Sequence, residues 1–110
     1  MDQKTFNAYT NSLLSQAAKV RNAKMVEYEA ETDRLANFRK ASNLSGVTVP
    51  EAIAGMMVKH TVSIYDMIEG EFNRFNVDPP YPIELWREKL IDQINYLLLL
   101  YGAIREERDQ

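Results

Sequence analysis

The chain has no cysteine, so disulfides, thiolate metal sites and nucleophilic thiols are all excluded. That suits a reducing compartment. It has one histidine, His60, too few for a histidine-built metal centre. Glycines and prolines number four each. No Gly-rich phosphate loop, HExxH helix or serine elbow occurs among its motifs. The most apolar stretch, residues 96–104, is far shorter than the roughly 20 residues that cross a bilayer. The start, MDQKTFNAYTNSLLSQ, lacks the basic segment and apolar run of a secretory signal, so a cytoplasmic location is expected. Nor is there an excess of positive charge. The formal net charge of −3 speaks against a duplex-binding face, whereas a nucleotide held through a metal ion remains compatible with it.

What is present reads as helix. At 110 residues and 45% apolar content, the chain fits a single globular domain, residues 1–110. Phe6, Tyr9, Leu13, Ala17 and Val20 recur at steps of three and four, continued by Met25 and Tyr28, which predicts a first helix from Asp2 to about Glu29. Thr32 or Asp33 can cap a second, shorter helix carrying Leu35, Phe38 and Ala41, which Ser45-Gly46 ends. Thr48, Pro50 and Glu51 form a strong start signal for a third helix, expected to reach about Phe75. NVDPPYP (76–82) breaks it, and a fourth helix is expected from near Pro82 to about Glu107. The fold class is all-α, a four-helix bundle. In the fourth helix Leu97, Leu98, Leu99, Leu100 and Tyr101 surround the axis with apolar groups. Such a helix must be covered on every side, either by a homo-oligomer formed through this C-terminal helix or by a central place in its own bundle.

Two helices carry polar rows at i, i+4, i+7, a spacing that shares one face. They are Lys59, Ser63 and Asp66 in the third helix, and Glu88, Asp92 and Asn95 in the fourth. If the rows meet in one cleft, Glu88 and Asp92 can ligate Mg²⁺ and activate water, Lys59 can pair with a phosphate, and Asn95 can bond a base or sugar. His60 stands beside the first row as a proton carrier. Equally, both rows can be solvated helix faces. A further group, Lys24, Tyr28, Arg34, Asn37 and Phe38, can stack on a base and reach a phosphate. Its plainer reading places Tyr28 and Phe38 in the core and pairs Arg34 with Glu31 or Asp33.

Three segments, EYEAETDRLANFRKAS (27–42), GMMVKHTVSIYDM (55–67) and WREKLIDQINYLLLL (86–100), together resemble a group of short phage and prophage proteins of largely uncharacterised role. More distantly the chain is similar to nucleotide-modification-associated domains and to all-α nucleoside triphosphate pyrophosphohydrolases of the MazG and dimeric dUTPase kind. The resemblance implies an oligomeric helical bundle, a host-cytoplasmic location, and Mg²⁺ held by acidic helical motifs. Carried over residue by residue, the metal positions are Asp66, Glu69, Glu88 and Asp92, with Lys59 and Asn95 as neighbours. The second motif departs from the family pattern by one extra residue between Glu88 and Asp92, which turns a side chain by ~100°. Three functions follow as expectations: a Mg²⁺-dependent nucleotide pyrophosphohydrolase, a nucleotide-binding protein without complete chemistry, and a non-enzymatic interaction protein, such as an accessory factor that modulates a host protein.

Overall fold

The third helix begins as its sequence dictates. The backbone N–H of Thr48 donates to Glu51 Oε1 at 3.1 Å, and the Glu51 N–H donates back to Thr48 Oγ1 at 3.2 Å. This closes the reciprocal capping box. The hydrogen bonds from Thr48 hold the Glu51 carboxyl below its ordinary pKa. Just upstream, Gly46 takes the left-handed conformation (φ 70°), and its N–H reaches the Ser42 carbonyl at 2.9 Å. Glycine adopts that conformation without a Cβ penalty, so the preceding helix stops there.

A computed structural model describes residues 1–27, 33–72 and 79–109. It holds four helices and, among the described residues, no strand: α1 (Gln3–Glu27), α2 (Ala36–Ser45), α3 (Val49–Phe72) and α4 (Ile83–Arg108). These are the expected elements in the expected order. The anticipated ends of the first and third helices, 28–29 and 73–75, lie outside the described residues, as does Thr32. The start of α2 differs in detail from the expected cap. Asp33 stands before the helix, and its Oδ1 accepts the Leu35 N–H at 3.0 Å. That is an Asx turn leading into the helix. No helix among the described residues is long and apolar enough to cross a membrane.

α4 is the axis of the molecule. α3 runs antiparallel to it: Glu71 meets Trp86, Thr61 meets Gln93, and His60 meets Tyr96. α1 runs parallel to it, since Ser12 and Gln16 meet Arg87, whereas Ala17 and Arg21 meet Asn95. Among the described residues, α1 packs on α4 and on no other helix. α2 sits on α3 and reaches α4 through the Arg39–Glu106 ion pair and the Phe38–Tyr96 ring contact.

The core is small. Leu35, Phe38, Ile53 and Ala103 bury one cluster, against which Val49, Met57, Tyr96, Leu99 and Leu100 pack. Ile53 is fully buried. Ala17 and Ile91 are buried as well. The molecule measures 46 × 31 × 26 Å with a radius of gyration of 16.6 Å. An ordinary folded chain of this length has about 13 Å. This elongation leaves much apolar surface uncovered, including nearly half of Leu97 and Leu98 and more than half of Tyr101 on α4. Among the described residues the bundle therefore surrounds α4 on three sides and leaves the fourth open.

Candidate functional site

The α4 polar row splits among different environments. Glu88 is exposed, Asp92 is half-buried, and Asn95 is buried. Asn95 is fully engaged in packing: its Nδ2 donates to the Ala17 carbonyl at 3.2 Å, and its Oδ1 accepts from Arg21 Nη1 at 2.9 Å. A buried amide needs such partners on both ends. It thus ties α4 to α1. Two turns earlier, Arg87 donates through Nε to Gln16 Oε1 at 2.7 Å and through Nη2 to Ser12 Oγ at 3.1 Å. The α1–α4 seam is consequently polar at both levels, with Ala17 and Ile91 as its buried apolar groups.

On α3, Lys59, Asp66 and Glu69 are exposed and Ser63 is half-buried. The side chains of α3 that bond or stack on α4 are their neighbours. Thr61 Oγ1 accepts from Gln93 Nε2 at 3.0 Å, and the His60 ring lies 4.8 Å from the Tyr96 ring at 36°. His60 is thereby half-buried between helices. The structure thus turns Asn95 towards α1 and His60 and Thr61 towards α4. Among the described residues, no hydrogen bond or ion pair joins Lys59, Ser63 or Asp66 to Glu88 or Asp92. Nor do three His, Asp or Glu side chains gather there in a group able to hold a metal ion. A row at i, i+4, i+7 shares a face of its own helix but says nothing about which neighbour that face meets.

The group near the α1–α2 connection divides similarly. Lys24, Arg34 and Asn37 are exposed, Phe38 is in the core, and Tyr28 lies outside the described residues. Asp33 is held by Arg39, with Nε to Oδ2 at 2.6 Å, and not by Arg34. The Arg39 guanidinium also bonds Glu106 at 2.8 Å, so one cation joins the entry of α2 to the end of α4. Its hydrogen bond lowers the Asp33 pKa, and the two carboxylates raise that of Arg39.

A second polar node closes the other end of the α3–α4 pair. Glu71 Oε1 accepts the Tyr81 backbone N–H at 2.8 Å and the Trp86 indole N–H at 3.1 Å. Trp86 in turn stacks near Phe72 and Tyr81, at 6.0 and 6.3 Å between ring centres. Gly70 lies beside it, and a Cβ there would come within 2.6 Å of the Tyr81 hydroxyl, so the ring would have to shift. Glu71, Thr61 and Gln93 were not singled out in the sequence, where single polar residues inside a helix carry no distinguishing pattern.

The remaining feature is the open side of α4, where Ile83, Leu97, Leu98, Tyr101 and Ile104 are exposed. No protein-family model, no curated protein and no solved structure matches this chain.

Proposed function

We propose that the protein is a helical interaction protein that works by assembling through its C-terminal helix. The observation that carries this reading is the row of exposed apolar side chains on α4, five of them between Ile83 and Ile104, on a helix whose other sides are packed. Exposed apolar surface of this kind marks protein contact sites, since leaving it in water is costly at roughly 25 cal/mol per Å². The polar residues nearby serve architecture: Asn95, Arg21 and Arg87 hold α1, and Arg39 holds α2. Sedimentation velocity at tens of micromolar tests the reading. The expected species is an oligomer that Leu97→Glu with Tyr101→Glu converts to monomer. A chain that stays monomeric and captures no other protein through this face overturns it.

A second reading rests on Glu88 and Asp92. They stand one turn apart, and among the described residues neither carboxylate has a protein partner. A nucleotide–Mg²⁺ complex takes such a pair, with waters and phosphate oxygens completing the shell. Here Glu88 and Asp92 hold the metal, and the exposed Lys59 and Arg34 are the cations nearest in role to phosphate partners. Thermal shift with a panel of (d)NTPs, with and without Mg²⁺, tests it. Binding at 100 times Kd raises stability by about 2.7 kcal/mol, so an unmoved transition throughout the panel overturns this reading, and pyrophosphate release would extend it to catalysis.

A further inference from the structure

The open side of α4 has a period. Ile83, Leu90, Leu97 and Ile104 recur every seventh residue, with Ile94 and Tyr101 between them. This 3-4 alternation is the a/d seam of a coiled coil, with Ile94 and Tyr101 at a and the other four at d. α1 lies to one side of the seam, at Ile91 and Asn95, and α3 to the other, at Trp86, Gln93 and Tyr96. Among the described residues Ile83, Leu97, Tyr101 and Ile104 of the seam are exposed, and Leu90 and Ile94 are half-buried. We propose, building on the assembly reading above, that its occupant is the same seam of a second copy, packed antiparallel.

Area supports a second copy. The chain exposes 8262 Å², whereas a folded monomer of 12.7 kDa exposes about 6,200 Å². The excess, roughly 2,000 Å² per chain, matches what each partner of a large obligate homodimer buries. The seam itself runs for roughly 32 Å. Tyr9 of α1, on the helix side of Gln16, and Phe72 of α3, beside Trp86, flank it as further exposed apolar groups. A two-fold axis across antiparallel α4 helices sets α1 over the partner's α1 and α3 over the partner's α3, so these groups are covered together.

Charge decides the direction. Antiparallel a-to-d layers put Ile94 on the partner's Leu97 and Leu90 on the partner's Tyr101. In the same register Glu84 comes beside the partner's Arg105, twice by symmetry, at the flanking e positions that choose orientation. Arg105 bonds Asp109 in its own helix at 3.3 Å and keeps further donors for Glu84. A parallel pair instead sets Arg108 against the partner's Arg108 at an a position, while Arg87, at another a position, is turned to Gln16 and Ser12 of α1. Like charges there oppose association.

Because the chain lacks cysteine, introduced thiols report the register directly. The antiparallel layers place position 83 opposite the partner's position 108. Ile83→Cys and Arg108→Cys, both at exposed sites, are made singly and checked for helicity and oligomeric mass. Under mild oxidation a mixture of the two is expected to give a covalent heterodimer, and neither variant alone is expected to link. Glu84→Arg is expected to weaken dimerisation roughly tenfold, and Glu84→Arg with Arg105→Glu to restore it. Self-linking of Ile83→Cys, or a dimer in which the mixture fails to link, overturns the antiparallel pairing while leaving assembly intact. A monomer at about 100 μM overturns the second copy as occupant, and capture of another protein by that monomer would still preserve the interaction role.

Discussion

Replacing Asn95 by leucine isolates what the polar residue in the middle of α4 does. The side chain is buried and makes two bonds across the α1–α4 seam, to the Ala17 carbonyl and to Arg21. The Ala17 carbonyl lies within α1 and retains its helical partner, so its loss is that of one ordinary net bond, about 1 kcal/mol. Arg21 is only half-buried and can turn to water. Its bond therefore also contributes about 1 kcal/mol, below the 1.5–3 kcal/mol of a fully desolvated charged partner. Asn95→Leu should thus destabilise by about 2 kcal/mol. With a urea m-value of about 1.5 kcal/mol/M for a domain of this size, the midpoint moves down by slightly more than 1 M. The measurement is urea unfolding at a single fixed protein concentration, because an associating chain has concentration-dependent stability. Adding Arg21→Met removes the other partner and is expected to recover at most about half of the loss, since the bond to the Ala17 carbonyl is not restored. Asn95→Asp keeps the Arg21 partner but loses the donor to Ala17, so it should fall between wild type and leucine. An unchanged midpoint in Asn95→Leu refutes the packing role and returns Asn95 to the candidates for ligand contact.

Other outcomes follow from the same contacts. Ile53→Ala, at the fully buried centre of the core, should cost 2–5 kcal/mol by the usual range for such truncations, measured by the same titration. Thr48→Ala opens the capping box of α3 and should cost about 1 kcal/mol. Asp33, whose pKa is lowered by Arg39, contributes stability that is present above its unfolded pKa near 3.8 and is lost as pH falls through the lower folded value. Asp33→Asn should therefore be less stable than wild type at neutral pH, with the difference closing below about pH 4 and shrinking in high salt. Gly70→Ala pushes the Tyr81 ring away from Trp86, and since Trp86 is the one tryptophan, a shift in its emission reports the displacement. Retention of the wild-type spectrum would show that the Tyr81 ring does not pack there.

The sequence by itself determined the helices and most of their ends. Those limits are local. The Thr48–Glu51 box, Gly46 and the 79–82 prolines act within a few residues of backbone, and their chemistry is visible without the fold. The asymmetry of α4 was only half visible. All-round leucine content announced a need for cover, but α1, α2 and α3 had to be placed before one could say which side stays open. The seven-residue spacing of Ile83, Leu90, Leu97 and Ile104 was present in the sequence, hidden by the neighbouring Leu99 and Leu100 that serve the bundle's own packing. The tertiary structure alone decided where the polar rows point. Asn95 faces α1 because that helix lies alongside α4 in parallel, a choice made by Ala17, Arg21 and Arg87 more than 60 residues apart in sequence. Periodicity assigns a residue to a face of its own helix. Which neighbour meets that face is set by long-range packing, which no local pattern encodes.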